Sequence, residues 1–267
     1  MSDGDTRGEA RALLTEITAD VLAWAEWARE TGARSVPWDE SPPLTFERPS
    51  PTSVQRPVNA PSPSSVVPST PPPVTRRRQR RQEGGPESLD DIRQDLGNCQ
   101  RCELHQGRTH IVFGVGSARA DLVVVGEAPG FHEDRSGEPF VGRAGQLLTR
   151  MLAAIGVSRE QAYICNVLKC RPPDNRDPRP QEISTCSPFM ARQLKALQPR
   201  VILTAGRFAA NTLLSQDLAM GRLRGQVHDW QGIPVVPTYH PAYLLRTPEA
   251  KARTWEDLLL VRGLLEG

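Results

Sequence analysis

From Ser88 to the C-terminus, short all-apolar runs alternate with longer stretches whose apolar residues recur at three- and four-residue steps. The first pattern predicts buried strands and the second predicts amphipathic helices. Strands are expected at 122–126, 163–168, 201–205 and 235–239. Helices are expected from a Ser88 cap to about Gly97, then over 142–155, 181–197 and 208–214, and after Pro241 and Ala250. Elements alternating in this way predict an α/β fold of three layers, a largely parallel sheet with helices on both faces. Ligands of such sheets gather at the carboxyl ends of the strands. The three most unusual loops all follow expected strands: GEAPGFHED at 126–134, NVLKCRPPDNR at 166–176 and HPAYLLR at 240–246.

Upstream the pattern is different. In residues 6–31, Leu14, Ile17, Val21, Trp24 and Ala28 form one helical stripe, and Gly32 follows as a stop. A lone helix with such a face must bury it against something, and its polar face is not notably basic. It is therefore expected to dock on protein, such as a partner, and not on a membrane. Residues 35–86 are rich in proline, serine and threonine, and thirteen of the 25 prolines fall between Pro37 and Pro86. Such a segment buries too little apolar surface to fold and is expected to act as an extended linker. Near its end, five arginines occupy six positions at Arg76, Arg77, Arg78, Arg80 and Arg81, either a solvated charge run or a phosphate-binding arm. The expected organisation is a helix at 1–34, a linker at 35–86 and a folded domain at 87–267.

Composition adds limits. The net charge of +2 divides into 11 basic and 11 acidic groups in residues 1–85 and 22 and 20 in the remainder. Bulk charge therefore names no partner. No apolar run approaches the ~18 residues of a spanning helix. The opening MSDGDTRGEA has no apolar core of a signal peptide, so a cytoplasmic protein, monomeric and without a membrane partner, is expected. All five cysteines lie beyond residue 98, and an odd number in a reducing compartment points to a metal site or reactive thiols more than to disulfides.

Cys99 and Cys102 form a CxxC, with Cys170 in a loop and Cys186 in a helix. Four thiolates so spaced can converge on a metal, and the spacing leaves zinc, an iron–sulfur cluster and plain core cysteines open. Cys165 alternates inward on its strand and is expected in the core. In GEAPGFHED, glycines and a proline frame Glu127, with Glu133 and Asp134 close behind. A carboxylate there can position water or offset a developing cation, or simply be a solvated turn residue. His240 follows a strand and can donate to a developing anion. Asn166 offers an acceptor and two donors for reading a polar ring, and Phe140 can stack on a ring or fill core. Gly114 and Gly116 do not make a dinucleotide fingerprint, because a strand and not a helix follows.

Taken together, GEAPGFHED, GEPFVGRAGQLL (137–148), YICNVLKCRPPDNR (163–176), YHPAYLLR (239–246) and the four-cysteine spacing resemble the family 4 uracil-DNA glycosylases, the iron–sulfur branch of that superfamily. The resemblance spans about 88–265 and leaves out the N-terminal helix and linker. It implies a four-stranded parallel sheet between helices and a [4Fe–4S] cluster on Cys99, Cys102, Cys170 and Cys186. It implies hydrolysis of the N-glycosidic bond of deoxyuridine in DNA, leaving an abasic site for base-excision repair. Glu127 would position water or offset the sugar's charge, and His240 would donate toward uracil O2. Phe140 would stack on the flipped base, Asn166 would pair with its edge, and Glu133 would shape the pocket near C5. Ala128 stands where the best-known branch has an aspartate. Leu244 and Leu245 would wedge into the gap left by the base, unless they are simply the buried side of a short helix, with Lys169, Arg171, Arg176, Arg179 and Arg246 near phosphates. Two other classes compete: a catalytically weak uracil-DNA binder or scaffold, and an iron–sulfur redox protein.

Overall fold

The computed structural model describes residues 87–267, together with Ala25 and Arg29, which are helical and exposed. The rest of the expected 6–31 helix, the proline-rich linker and the arginine cluster lie outside the described residues.

Helix α1 (Leu89–Leu96) starts where a reciprocal capping box forms. Ser88 Oγ accepts the Asp91 N–H at 3.2 Å, and the Asp91 carboxylate accepts the Ser88 N–H at 3.1 Å. Gly97, at φ +43°, ends it. The chain continues through β1 (Val115–Gly116), β2 (Leu122–Gly126), α2 (Phe131–Ser136), α3 (Arg143–Ala154) and β3 (Tyr163–Asn166). Helix α4 (Pro180–Leu197), β4 (Val201–Ala205), α5 (Arg207–Leu214), α6 (Met220–Leu223), β5 (His228–Trp230) and β6 (Ile233–Thr238) follow. Helices α7 (Pro241–Arg246) and α8 (Lys251–Glu266) close the domain.

The sheet runs β1-β3-β2-β4-β6-β5. Its four central strands are parallel, as expected, and the short edge strands β1 and β5 pair antiparallel to them. The edge strands have two and three residues and no buried face, so no apolar alternation announces them. Residues in the central strands alternate between two cores. Leu122, Val124, Ile164, Leu203 and Val236 pack under α3, α7 and α8. Val123, Val125, Cys165, Ile202 and Val235 pack on the opposite side with Met190, Leu194, Ala209 and Leu213 of α4 and α5. Strand alternation of period two thus produces the three layers, and Cys165 is a core residue as expected. Strand β3 stops at Asn166, two residues short of the expected end, where Val167 and Leu168 donate to Gly126 and Glu127 carbonyls and lead into the loop.

Strand β3 lies on one side of β2 and β4 on the other, so the chain reverses its winding between β2 and β4. The loops after these strands part there and leave a crevice at the carboxyl edge.

Candidate active site

The strand register positions the site. Gly126 ends β2 opposite Asn166, which ends β3. Glu127 follows Gly126, and His240 lies two residues beyond β6. With Phe140 they bound a cavity of about 470 Å3, which Ala128, Glu133, Asn175, Tyr243 and Arg246 also line.

The floor of this cavity is a slot that requires glycine. A Cβ on Gly126 would stand 2.3 Å from Asn166 Oδ1 and 2.6 Å from the Phe140 ring. Asn166 is 1% exposed, and its Oδ1 has no hydrogen-bond partner. A buried acceptor without a donor is costly until a ligand supplies one. Phe140 beside it holds a left-handed backbone, φ +55°, which a non-glycine residue adopts only when its surroundings enforce it. Those surroundings are specific. Glu133 Oε1 accepts the N–H groups of Val141 at 2.9 Å and Gly142 at 3.1 Å. On α3, Gly145 leaves room for the Phe140 carbonyl, whose oxygen would lie 1.8 Å from a Cβ there. The His240 ring stacks on Phe140 with centroids 5.7 Å apart.

The two titratable walls have opposite tendencies. Burial, helped by the Asp177 carboxylate and opposed by Arg207, pushes the Glu127 carboxyl up to about 7. Burial and the nearby Arg246 cation push His240 down to about 4, with Glu133 opposing. His240 is thus neutral at pH 7. Its Nδ1 accepts the Ala242 N–H at 3.1 Å, so the ring proton sits on Nε2 and makes that atom the donor. The arrangement can hold a flat ring, meet its polar edge with an amide, donate to an oxygen on it, and offer a carboxylate near half-ionisation.

Of the four expected metal-ligating cysteines, Cys170 lies within electrostatic reach of the other three, and Cys186 within reach of Cys170 and Cys102. Burial, then Cys102 and Cys99, push the Cys170 thiol up against the effect of Arg108. Burial, Cys170 and Cys102 push Cys186 up to about 11, while Lys169 opposes. Two sulfurs already accept N–H groups: Cys170 from Arg108 Nη1 at 3.2 Å and Cys186 from the Lys169 backbone at 3.3 Å. Arg108 also donates to the Cys99 carbonyl at 2.6 Å, tying the two halves of the set together. Among the described residues, no three His, Cys, Asp or Glu side chains close on a single ion.

Three expectations for phosphate and wedge residues need correction. Lys169 does not face a phosphate. It is fully buried and donates to the Asn166 carbonyl at 2.7 Å and to Gln193 Oε1 at 2.6 Å. Gln193 in turn donates to the Phe113 carbonyl and the Tyr163 hydroxyl. Leu244 is not a wedge, because α7 turns it wholly into the core under α3 and α8, with Leu245 half-buried against the same core. Arg176 reaches the cavity, but its guanidinium is committed to the carboxylate of Glu182, one bond at 2.5 Å and one at 2.9 Å. Arg171 and Arg246 remain, with no carboxylate in ion-pair range among the described residues. Arg179 makes a long, exposed pair with Glu103 at 3.4 Å. The exposed aromatic residue of HPAYLLR is Tyr243, which lines the cavity and stacks on Tyr239. Sequence reasoning passed over it, although a three-residue step from His240 along a helix places it on the same rim.

Fold and site together define a pocket for a planar, polar-edged ring at the switch point of a doubly wound sheet. Residues 113–259 match the family model described as the uracil DNA glycosylase superfamily. The type-4 uracil-DNA glycosylase of Archaeoglobus fulgidus is 48% identical over 179 residues, which cover 64% of this chain and 90% of that protein. Its counterpart from Thermotoga maritima is 42% identical over 169 residues, covering 62% of this chain and 88% of that protein. A type-5 uracil-DNA glycosylase of Pyrobaculum aerophilum is 31% identical over 146 residues, covering 48% of this chain and 64% of that protein. The chain belongs to the uracil-DNA glycosylase superfamily, in its type-4 branch.

Proposed function

We propose that the protein is a uracil-DNA glycosylase that removes uracil from DNA and leaves an abasic site, the opening step of base-excision repair. The observation that carries this reading is the buried, partnerless Oδ1 of Asn166 at the floor of the slot. Uracil presents an N3–H donor to such an acceptor, whereas cytosine presents an acceptor there. The base lies hidden in a DNA stack and must be flipped out to enter, which costs least from single strands or mismatches.

In this reading Phe140 stacks on the flipped uracil and Asn166 pairs with its edge. The C1′–N1 bond breaks and its electron pair leaves with uracil. The anion's charge at O2 is met by the Nε2–H of neutral His240. Water forms the new bond to C1′, and Glu127, as carboxylate, holds that water and takes its proton. Glu133 holds the Phe140 loop and closes the pocket beside the ring. Ala128 and Arg246 line the same pocket, and Arg171 and Arg246 meet phosphates.

Cys99, Cys102, Cys170 and Cys186 would hold a [4Fe–4S] cluster. The all-sulfur donor set supports this, as do the N–H groups already aimed at two of the sulfurs and the Arg108 clamp. Bound there, the cluster would supply a structural fastening for the loop that carries Arg171. All five cysteines are free, which suits a reducing, cytoplasmic setting. Among the described residues no helix is long and apolar enough to cross a membrane. The N-terminal helix is read as a docking element for a partner protein on an otherwise monomeric enzyme.

The test is uracil release from an oligonucleotide with one deoxyuridine, read as an alkali-induced strand break. A break that depends on uracil and disappears in Glu127→Gln is expected. DNA binding without a break, in protein with its cluster intact, would favour the binder or scaffold reading instead.

A further inference from the structure

Phe131 opens α2 at the lip of the pocket and leaves 47% of its surface to solvent, the most of any large apolar side chain among the described residues. Two guanidiniums attend it. Arg171 stands 5.2 Å and Arg135 5.4 Å from the ring centroid. Neither has a carboxylate in ion-pair range among the described residues, in contrast to Arg176 with Glu182. Arg171 Nε donates to Asn175 Oδ1 at 2.8 Å, and Asn175 lines the pocket, so the aromatic ring and the pocket are tied through one hydrogen bond. An exposed phenyl ring costs free energy in water, and the two guanidiniums over it still leave nearly half of the residue to solvent. An aromatic face with free arginines beside it, next to a slot for one flipped base, matches the chemistry of single-stranded nucleic acid. A second base can cover the ring while phosphates take the cations.

We propose that Phe131 is a stacking platform for a nucleobase outside the uracil pocket, on the same strand as the flipped nucleotide, with Arg171 and Arg135 on the phosphates beside it. The platform rests on the reading of the pocket as a uracil site. It binds a neighbouring base without regard to identity, because every base has a face to stack.

The test uses the full-length protein and single-stranded oligonucleotides with one deoxyuridine. In one set the two residues on each side carry bases, and in the other they are abasic tetrahydrofuran residues. In the native chain the half-saturating DNA concentration is expected to rise about tenfold when the neighbours lose their bases. Phe131→Ala should show that rise already on the base-bearing strand and no further rise on the abasic one, with the saturating single-turnover rate unchanged. Phe131→Trp should restore native behaviour. Non-additivity of the two changes is the signature of direct contact. Equal losses by Phe131→Ala on both strands, no loss on either, or a fall in the saturating rate instead of affinity would each overturn the platform while leaving the uracil site standing. No uracil release from any strand by the native chain would overturn both.

Discussion

Two buried polar regions lie three residues apart, one at the end of β3 and one in the loop that follows it, and their difference is informative. At Lys169 every group is matched: its ammonium meets the Asn166 carbonyl and Gln193, and Gln193 meets Phe113 and Tyr163. At the Asn166 side chain the acceptor has no partner, Phe140 has a left-handed backbone, Glu127 is pushed up and His240 pushed down. Matched polar groups specify and hold a fold, while unmatched ones store a cost that a ligand relieves. The Lys169 network is therefore scaffold, and the pocket beside it is where we propose that uracil is read. The scaffold also fastens the reader, because the bond from Lys169 fixes the backbone of Asn166 itself.

The largest effect that tests this contrast is Glu127→Gln. It should lower single-turnover excision about 10^3-fold while DNA binding persists. Unchanged excision would remove Glu127 from the chemistry. Lys169→Met should act on stability instead, costing about 2 kcal/mol in denaturant unfolding because two buried acceptors lose their donor. A variant as stable as the native chain would show that the network is dispensable.

Acidity sharpens the same contrast. Excision should rise with pH through about 7 as Glu127 ionises, with no second limb above pH 5, since His240 stays neutral down to about 4. A carboxyl held up at about 7 when folded keeps its proton where the unfolded chain, near 4.5, has lost it. The folded state binds more protons in that window, so this group's contribution makes stability fall as pH rises from 4.5 to about 7. Glu127→Gln should accordingly be more stable than the native chain at pH 8, by about 1 kcal/mol after solvent screening, and no different at pH 4. Equal stabilities at pH 8 would show that the carboxyl is not held up. The smallest effect is expected from the N-terminal extension. Deleting residues 1–85 should leave excision from short oligonucleotides within about twofold and weaken DNA binding only at low salt, as loss of the arginine cluster requires. A large fall in single-turnover rate would give the extension a role in catalysis.

Much of this arrangement was legible in the chain. The apolar runs of β2 and β4 end where the pattern said, because buried parallel strands leave a continuous apolar signature. Glycines and strand-end loops located Glu127, Asn166 and His240, and a capping serine located the start of α1. Burial that depends on tertiary packing was not legible. A lysine beside a cysteine reads as a surface cation, and only the Gln193 side chain arriving from α4 explains how Lys169 is buried. Of two adjacent leucines on a short helix, only the docked helix shows which faces inward. The segment FHEDRS folds as a six-residue helix, too short for periodicity to reveal, and so Phe131 was overlooked.

The most direct measurement of the central claim pairs two readouts on Asn166→Ala: single-turnover uracil release and melting temperature. Removal of an unmatched acceptor from a ligand site should cut release at least a hundredfold while the melting temperature holds or rises. A melting temperature that falls as far as in Lys169→Met, with release preserved, would place Asn166 in the scaffold and contradict the account.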